Sequence, residues 1–137
     1  MRKHVIFPYK GTEEINIGMS LEEVRSLLGN DFENKPKVQD NITEIVSFNN
    51  GILLSFNNKI LEYIGFLKNV EAYFNGINML SLTLAQIRQL FVNDVNIIED
   101  DSSIIFEDTG LSFYFSDKEE NNTPDEMSIF KKNYYTS

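Results

Sequence analysis

Cysteine and tryptophan are absent from the 137 residues, histidine occurs once, as His4, and only three prolines interrupt the chain. Without cysteine there is neither a disulfide staple nor a thiolate metal site, which fits a reducing compartment. His4 has no Ser or Cys motif around it, and no Gly-rich phosphate loop, nucleophile elbow or zinc motif occurs anywhere. No window approaches the roughly 18 apolar residues of a membrane span. The short run Val5-Ile6-Phe7 is cut by Pro8 and Lys10, so it does not make a signal peptide. These absences predict a cytoplasmic chain that is not an enzyme, with no cofactor, no metal and no membrane partner.

Hydrophobic residues at 42% and aromatics at 12% are enough for a packed interior and argue against disorder. The length fits one domain, or two half-size units sharing a core, because units of about 60 residues are marginal alone. The net charge of −9 is unevenly placed. Residues 1–68 carry nine acidic and eight basic side chains, whereas residues 69–137 carry twelve acidic and four basic. Nucleic acid would be repelled by this balance, and a basic protein would be attracted.

Two stretches carry complete helix-start signals. In Ser20-Leu21-Glu22-Glu23 the Ser20 hydroxyl and the Glu23 carboxylate satisfy each other's backbone N–H groups, with Met19 and Val24 placed as a hydrophobic staple. Leu21, Val24, Leu27 and Leu28 share one helical face, and Gly29 marks the end. Thr83 and Gln86 repeat the box, and Leu82 and Ile87 repeat the staple. After each helix come alternating apolar runs separated by turn residues. Asn50-Gly51 joins the first pair, Asp108-Thr109-Gly110 joins the second, and Gly65 inside its strand predicts a bulge or bend. The stretch 30–41, containing Lys35-Pro36-Lys37, reads as loop. The predicted fold is α+β: a single compact domain, 1–137, made by tandem duplication of a capped helix followed by an antiparallel three-stranded meander. The repeats span about 1–68 and 69–137.

The expected chemistry is recognition. From Phe56 to Tyr63 is seven positions, but from Phe115 to Met127 is twelve, so the second copy carries a longer charged loop at 116–125. Alternation turns Leu111, Phe113 and Phe115 to the core and Tyr114 outward, among carboxylates, either as an interface anchor or as a strand residue present for its β-propensity. The predicted partner-binding residues are Glu99, Asp100, Asp101, Glu107, Asp108, Tyr114, Asp117, Glu119 and Glu120. Glu99-Asp100-Asp101, with Asp94 and Asn96 before it, lacks the alternating ligands, central Gly and terminal Glu of a calcium loop. Tyr134 and Tyr135 read as a frayed or lightly docked terminus.

The stretch from Gly18 to Gly29, with its second copy from Leu82 to Phe91, resembles the opening helix of the beta-lactamase-inhibitor-protein-like fold. That resemblance implies a binding protein or an envelope assembly module. In acidity and plan the chain also resembles the immunity proteins of contact-dependent growth inhibition and other polymorphic toxin systems. This second resemblance implies a protein that occludes a cognate toxin with a basic surface, commonly a nuclease, and offers it an acidic face.

Overall fold

Ser20 and Thr83 open the two helices of the computed structural model, which describes residues 2–36 and 39–135. Helix α1 spans Leu21–Leu28 and α2 spans Leu84–Leu90. Both capping boxes are closed on each side. The Glu23 N–H donates to Ser20 Oγ and the Ser20 N–H to Glu23 Oε1, each at 3.1 Å. The Gln86 N–H donates to Thr83 Oγ1 at 3.2 Å and the Thr83 N–H to Gln86 Oε1 at 2.9 Å. Leu21 and Val24 of α1, with Leu84 and Ile87 of α2, are buried in the core, whereas Leu27 stays exposed.

The strands are β1 (Lys3–Val5), β2 (Glu33–Asn34), β3 (Ile42–Ser47), β4 (Ile52–Asn57), β5 (Ile60–Leu67), β6 (Glu71–Phe74), β7 (Ile77–Asn78), β8 (Ile97–Glu99), β9 (Ser103–Phe106), β10 (Leu111–Tyr114) and β11 (Glu126–Phe130). They move no helix but overturn the expected fold class. Among the described residues the chain is mostly β, with 39% strand and 14% helix, and its strands form one eight-stranded and one three-stranded sheet. The α+β repeat of a helix and a three-stranded meander is therefore not the architecture. In the large sheet the order is β2-β3-β4-β5-β11-β10-β9-β8, antiparallel throughout. Each half of the chain supplies four of these strands, and β5 pairs with β11, so the two inner strands leave no free edge. The small sheet, β1-β6-β7, ties the chain's start to its middle through a parallel β1–β6 pair.

Two strands account for the miscount. β2 falls inside the stretch expected as loop, where Glu33 and Asn34 pair with Val46 and Ile45. β8 is only one residue longer, and its register with β9 comes from its partner and not from its own pattern. Lys37, part of the same loop expectation, lies outside the described residues.

One face of the large sheet carries the core. Leu54, Phe56, Ile64, Phe66, Phe106, Phe113 and Ile129 are at most 1% exposed and join Val24 and Ile87 in one apolar cluster. Burial of such side chains is the main stabilising term of the fold. The two central hairpins close through Phe48-Asn49-Asn50-Gly51 and Glu107-Asp108-Thr109-Gly110. Each ends in a glycine with left-handed φ, +63° at Gly51 and +91° at Gly110. A Cβ on Gly51 would collide with Val70, and one on Gly110 would stand 2.7 Å from the Tyr9 ring. The bulge expected at Gly65 lies elsewhere: Ser55 pairs with Tyr63 and Phe56 with Leu61, so the register shift falls at Glu62. Gly65 has a different role, described below.

Candidate functional site

The side chains on the other face of the large sheet alternate out of the core, and the register places them in rows. Across the middle run Val46, Leu53, Gly65, Ser128, Ser112, Ile105 and Ile98, one from each strand from β3 to β8. On one side of this row stand Ser103, Tyr114, Glu126 and Leu67, and on the other Glu44, Ser55, Tyr63 and Phe130. Small residues at the centre, Gly65 with the hydrogen-bonded Ser112 and Ser128 hydroxyls, leave a hollow between the flanking rows. A cavity of about 490 Å³ opens there, walled by Tyr63, Tyr114, Glu126, Ile98, Asp100 and Tyr135.

Gly65 shapes the polar centre. The Glu126 carboxylate lies over it, with Oε2 at 2.5 Å from where a Cβ would stand, and accepts a hydrogen bond from the Tyr63 hydroxyl. Burial pushes the Glu126 carboxyl above its ordinary range, partly opposed by the Tyr63 hydrogen bond. Burial also raises the Tyr63 phenol well above its usual value, and the neighbouring Glu126 charge adds to this. Sequence reasoning missed this pair. Its only signals were the mid-strand Gly65 and an acid at Glu126 opening a strand of otherwise buried residues.

The C-terminal turn covers one side of this face, so of the two expectations for Tyr134 and Tyr135 the docked terminus holds and the frayed one does not. The Tyr134 ring stacks on Phe130 at 6.2 Å and packs on Tyr63 at 5.8 Å, and Tyr135 meets Phe130 edge-on at 4.9 Å. Tyr114 is left 47% exposed on the uncovered side.

The acidic residues expected to form one patch are spread over two ends of β9. Asp100 and Asp101 follow β8 and Asp117 follows β10 at the end where Ser103 pairs with Tyr114, the loop with Glu119 and Glu120 runs on to α2, and Glu107 and Asp108 occupy the turn at the far end. Several have partners within the chain. Arg88 clamps Glu99 through Nη1 and Nη2 at 2.8 and 2.6 Å and reaches Glu120 through Nε at 3.1 Å. Lys118 adds a bond to Glu99 at 2.6 Å. The hydrogen bonds from Arg88, then those from Lys118, hold the Glu99 carboxyl down to about 2. Asp100 accepts from the Ser102 and Ser103 N–H groups at 2.9 and 2.8 Å, and Asp108 from those of Val95 and Asn96 at 2.6 and 3.0 Å. These backbone donors lower both carboxyls, led by Ser102 for Asp100 and Asn96 for Asp108. The Glu107 carbonyl accepts from the Tyr9 hydroxyl, and one oxygen of its carboxylate is buried without a partner.

The longer loop at 116–125 is fastened to a helix. The Leu84 and Ala85 N–H groups, orphan donors in the first turn of α2, bond to the Asn122 and Glu120 carbonyls at 3.0 and 3.1 Å. Asp101, Asp117 and Glu119 remain exposed. His4 is half-buried, donates from Nε2 to the Asn50 carbonyl at 2.7 Å and packs 5.3 Å from Phe66, so it ties β1 to the first hairpin turn. Burial lowers its pKa, which favours the neutral ring. Among the described residues no three His, Cys, Asp or Glu side chains converge as a metal group, and no helix is long and apolar enough to cross a membrane.

Comparison of the chain with protein-family models, with curated proteins and with solved structures gives no match.

Proposed function

We propose that the chain is an inhibitory binding protein of the immunity type, which neutralises a cognate toxin with a basic surface by covering it with the outer sheet face and the acidic end beside it. The observation that carries this reading is Tyr114, an aromatic side chain 47% exposed at the rim of a cavity that Asp100 also lines, with the exposed acids Asp101, Asp117 and Glu119 in the loops that follow β8 and β10. An amphipathic ring with an apolar wall behind it and a charged rim is the arrangement from which interface anchors are built. The carboxylates steer a basic partner toward it. The experiment is protection of cells that express a basic toxin encoded beside this chain, together with binding kinetics of the purified pair. Tyr114→Ala should weaken binding about tenfold or more, through faster dissociation, as expected for a hot-spot aromatic. Reversing Asp101, Asp117 and Glu119 to Lys should slow association at low salt and matter little at high salt. Unchanged kinetics in both variants would remove the reading, and a turnover that disappears in Glu126→Gln would replace it with an enzymatic one.

A further inference from the structure

The two edges of the large sheet are guarded differently. At one edge β2 is two residues long, polar, and followed by Lys35 and Pro36, the usual means of blunting an edge. At the other edge β8 presents Ile97 and Ile98, 43% and 41% exposed, with no proline beside them, and the lysine that reaches its end, Lys118, is engaged by the Glu99 carboxylate and the Asp100 carbonyl, each at 2.6 Å. Its hydrogen bonds to β9 fall on alternate residues. The Glu107 N–H donates to the Asn96 carbonyl at 3.0 Å and the Asp100 N–H to the Ser103 carbonyl at 3.1 Å. That alternation puts Ile98 in the bonded pair with Ile105 and turns the N–H and C=O of Ile97 and Glu99 to the open side.

Acidic side chains outnumber basic ones around this edge. From residue 89 to residue 117 there is no Lys or Arg. Asp94 and Asp108 stand at the start of β8, and Asp100 and Asp101 at its end. The partners of Asp94, Asp100 and Asp108 are Thr109, Ser102, Ser103, Val95 and Asn96, neutral donors that fix the carboxylates without cancelling their charge. Glu99 is neutralised by Arg88 and Lys118, and its side chain is drawn away toward α2; Lys118 also bonds the Asp100 carbonyl at 2.6 Å and offsets part of the Asp100 charge, which leaves Asp94, Asp101 and Asp108 as the edge's uncompensated acids.

We propose that β8 is a docking edge that takes an extended segment of a basic protein partner as a ninth strand, with an apolar centre over Ile97 and Ile98 and Lys or Arg at both ends. Strand addition would satisfy the four outward backbone groups of Ile97 and Glu99, and the flanking aspartates would select the charge of the incoming segment. A second copy is the wrong occupant, because antiparallel pairing of β8 with itself sets the aspartates of one chain against those of the other. The inference rests on the proposed basic partner for the charge of the segment, but the open edge stands independently of it.

The test uses the full chain and a labelled, blocked peptide, Lys-Lys-Val-Thr-Val-Lys-Lys, followed by fluorescence anisotropy at low salt. Binding should weaken at least tenfold when the lysines are replaced by glutamates. It should weaken at least tenfold in Ile97→Pro, which removes an N–H that β9 does not use and should leave thermal unfolding unchanged. On the unaltered chain, the peptide should slow hydrogen exchange at the Ile97 and Glu99 amides, a readout independent of the variant. Equal binding of the acidic peptide, wild-type affinity in folded Ile97→Pro, or no added protection at those amides would overturn the proposal. Self-association abolished by Ile97→Pro would overturn it too, by assigning the edge to a second copy. If a cognate toxin binds Ile97→Pro as tightly as wild type but loses affinity for Tyr114→Ala, the docking edge fails and the immunity reading stands. If the peptide behaves as expected and no toxin is neutralised, the edge stands and the immunity reading fails.

Discussion

Replacing Gly65 with alanine isolates the packing at the centre of the outer face. The added Cβ would stand 2.5 Å from Glu126 Oε2, 2.9 Å from its Cδ and 3.1 Å from Tyr63 Cε1. The carboxylate is the end of a flexible side chain, so it swings away and the Tyr63 hydroxyl loses its acceptor. Leaving a part-buried donor unpaired costs about 1–3 kcal/mol. Against this, alanine in a strand interior regains the backbone entropy that glycine loses, about 0.5–1 kcal/mol. The net expectation in the wild-type background is a destabilisation of about 1 kcal/mol. In a Glu126→Ala background the acceptor is already gone and only the edge of the Tyr63 ring, 3.1 Å from the added Cβ, has to give by a few tenths of an ångström. There the same substitution should stabilise by about 0.5–1 kcal/mol. The assay is urea unfolding of the four proteins of this double-mutant cycle at one pH. The sign of the Gly65→Ala effect should reverse between backgrounds, giving a coupling of about 1–3 kcal/mol. An equal cost in both backgrounds would show that Glu126 does not occupy the space over Gly65, and the account of the cavity would fall with it.

Ser20→Ala and Thr83→Ala should each cost about 0.5–2 kcal/mol in denaturant unfolding, and nearly additively, because the two boxes share no partner. Arg88→Ala should cost about 1 kcal/mol near neutral pH, the usual scale for a partly exposed ion pair, and release both Glu99 and Glu120. The Glu99 carboxyl is depressed to about 2 in the folded chain, below its unfolded value, so its contribution is present above the unfolded pKa and lost as pH falls through about 2. The stability difference between wild type and Arg88→Ala, measured by unfolding across pH 6 to about 2, should therefore shrink toward the acid end; a difference independent of pH would refute the clamp.

The parts of the fold that were legible in sequence are those specified by neighbours along the chain. Ser20 with Glu23 and Thr83 with Gln86 lie three residues apart, so both caps could be read before any tertiary contact was known. The alternation of Leu111, Phe113 and Phe115 with Tyr114 likewise assigned inward and outward sides correctly. β2 and β8 were illegible because a strand of two or three residues has no period of its own. Glu33-Asn34 is polar and exposed, and it is a strand only because Ile45 and Val46 present a ladder to it. Missing those two strands turned an eight-stranded sheet into two three-stranded meanders and moved the fold from mostly β to α+β. The Tyr63–Glu126 pair was hidden for a related reason. Its partners are 63 residues apart and meet only because β5 and β11 form the seam of the sheet.

The acidic second half was legible as charge but not as structure. Asp94, Asp100, Asp108 and Asp125 each accept at least one backbone N–H in a turn, so they serve first as fasteners of the loops around β8, β9 and β10. The longer loop at 116–125 is likewise held, through Asn122 and Glu120, on the first turn of α2. An excess of acid over base therefore does not by itself mark a partner surface, since a turn can use a carboxylate wherever two backbone N–H groups point the same way. What separates the uses is the donor. Where the donors are cationic, as Arg88 and Lys118 are for Glu99, the field is cancelled locally. Where they are amides and hydroxyls, as at Asp94 and Asp108, the turn is fixed and the charge survives to act at a distance. The same carboxylates can thus hold the rim of the sheet in shape and supply its potential. Replacing one by asparagine tests both roles at once, which is why the exposed Asp101, Asp117 and Glu119, and not the turn aspartates, are the residues whose reversal reads the potential alone.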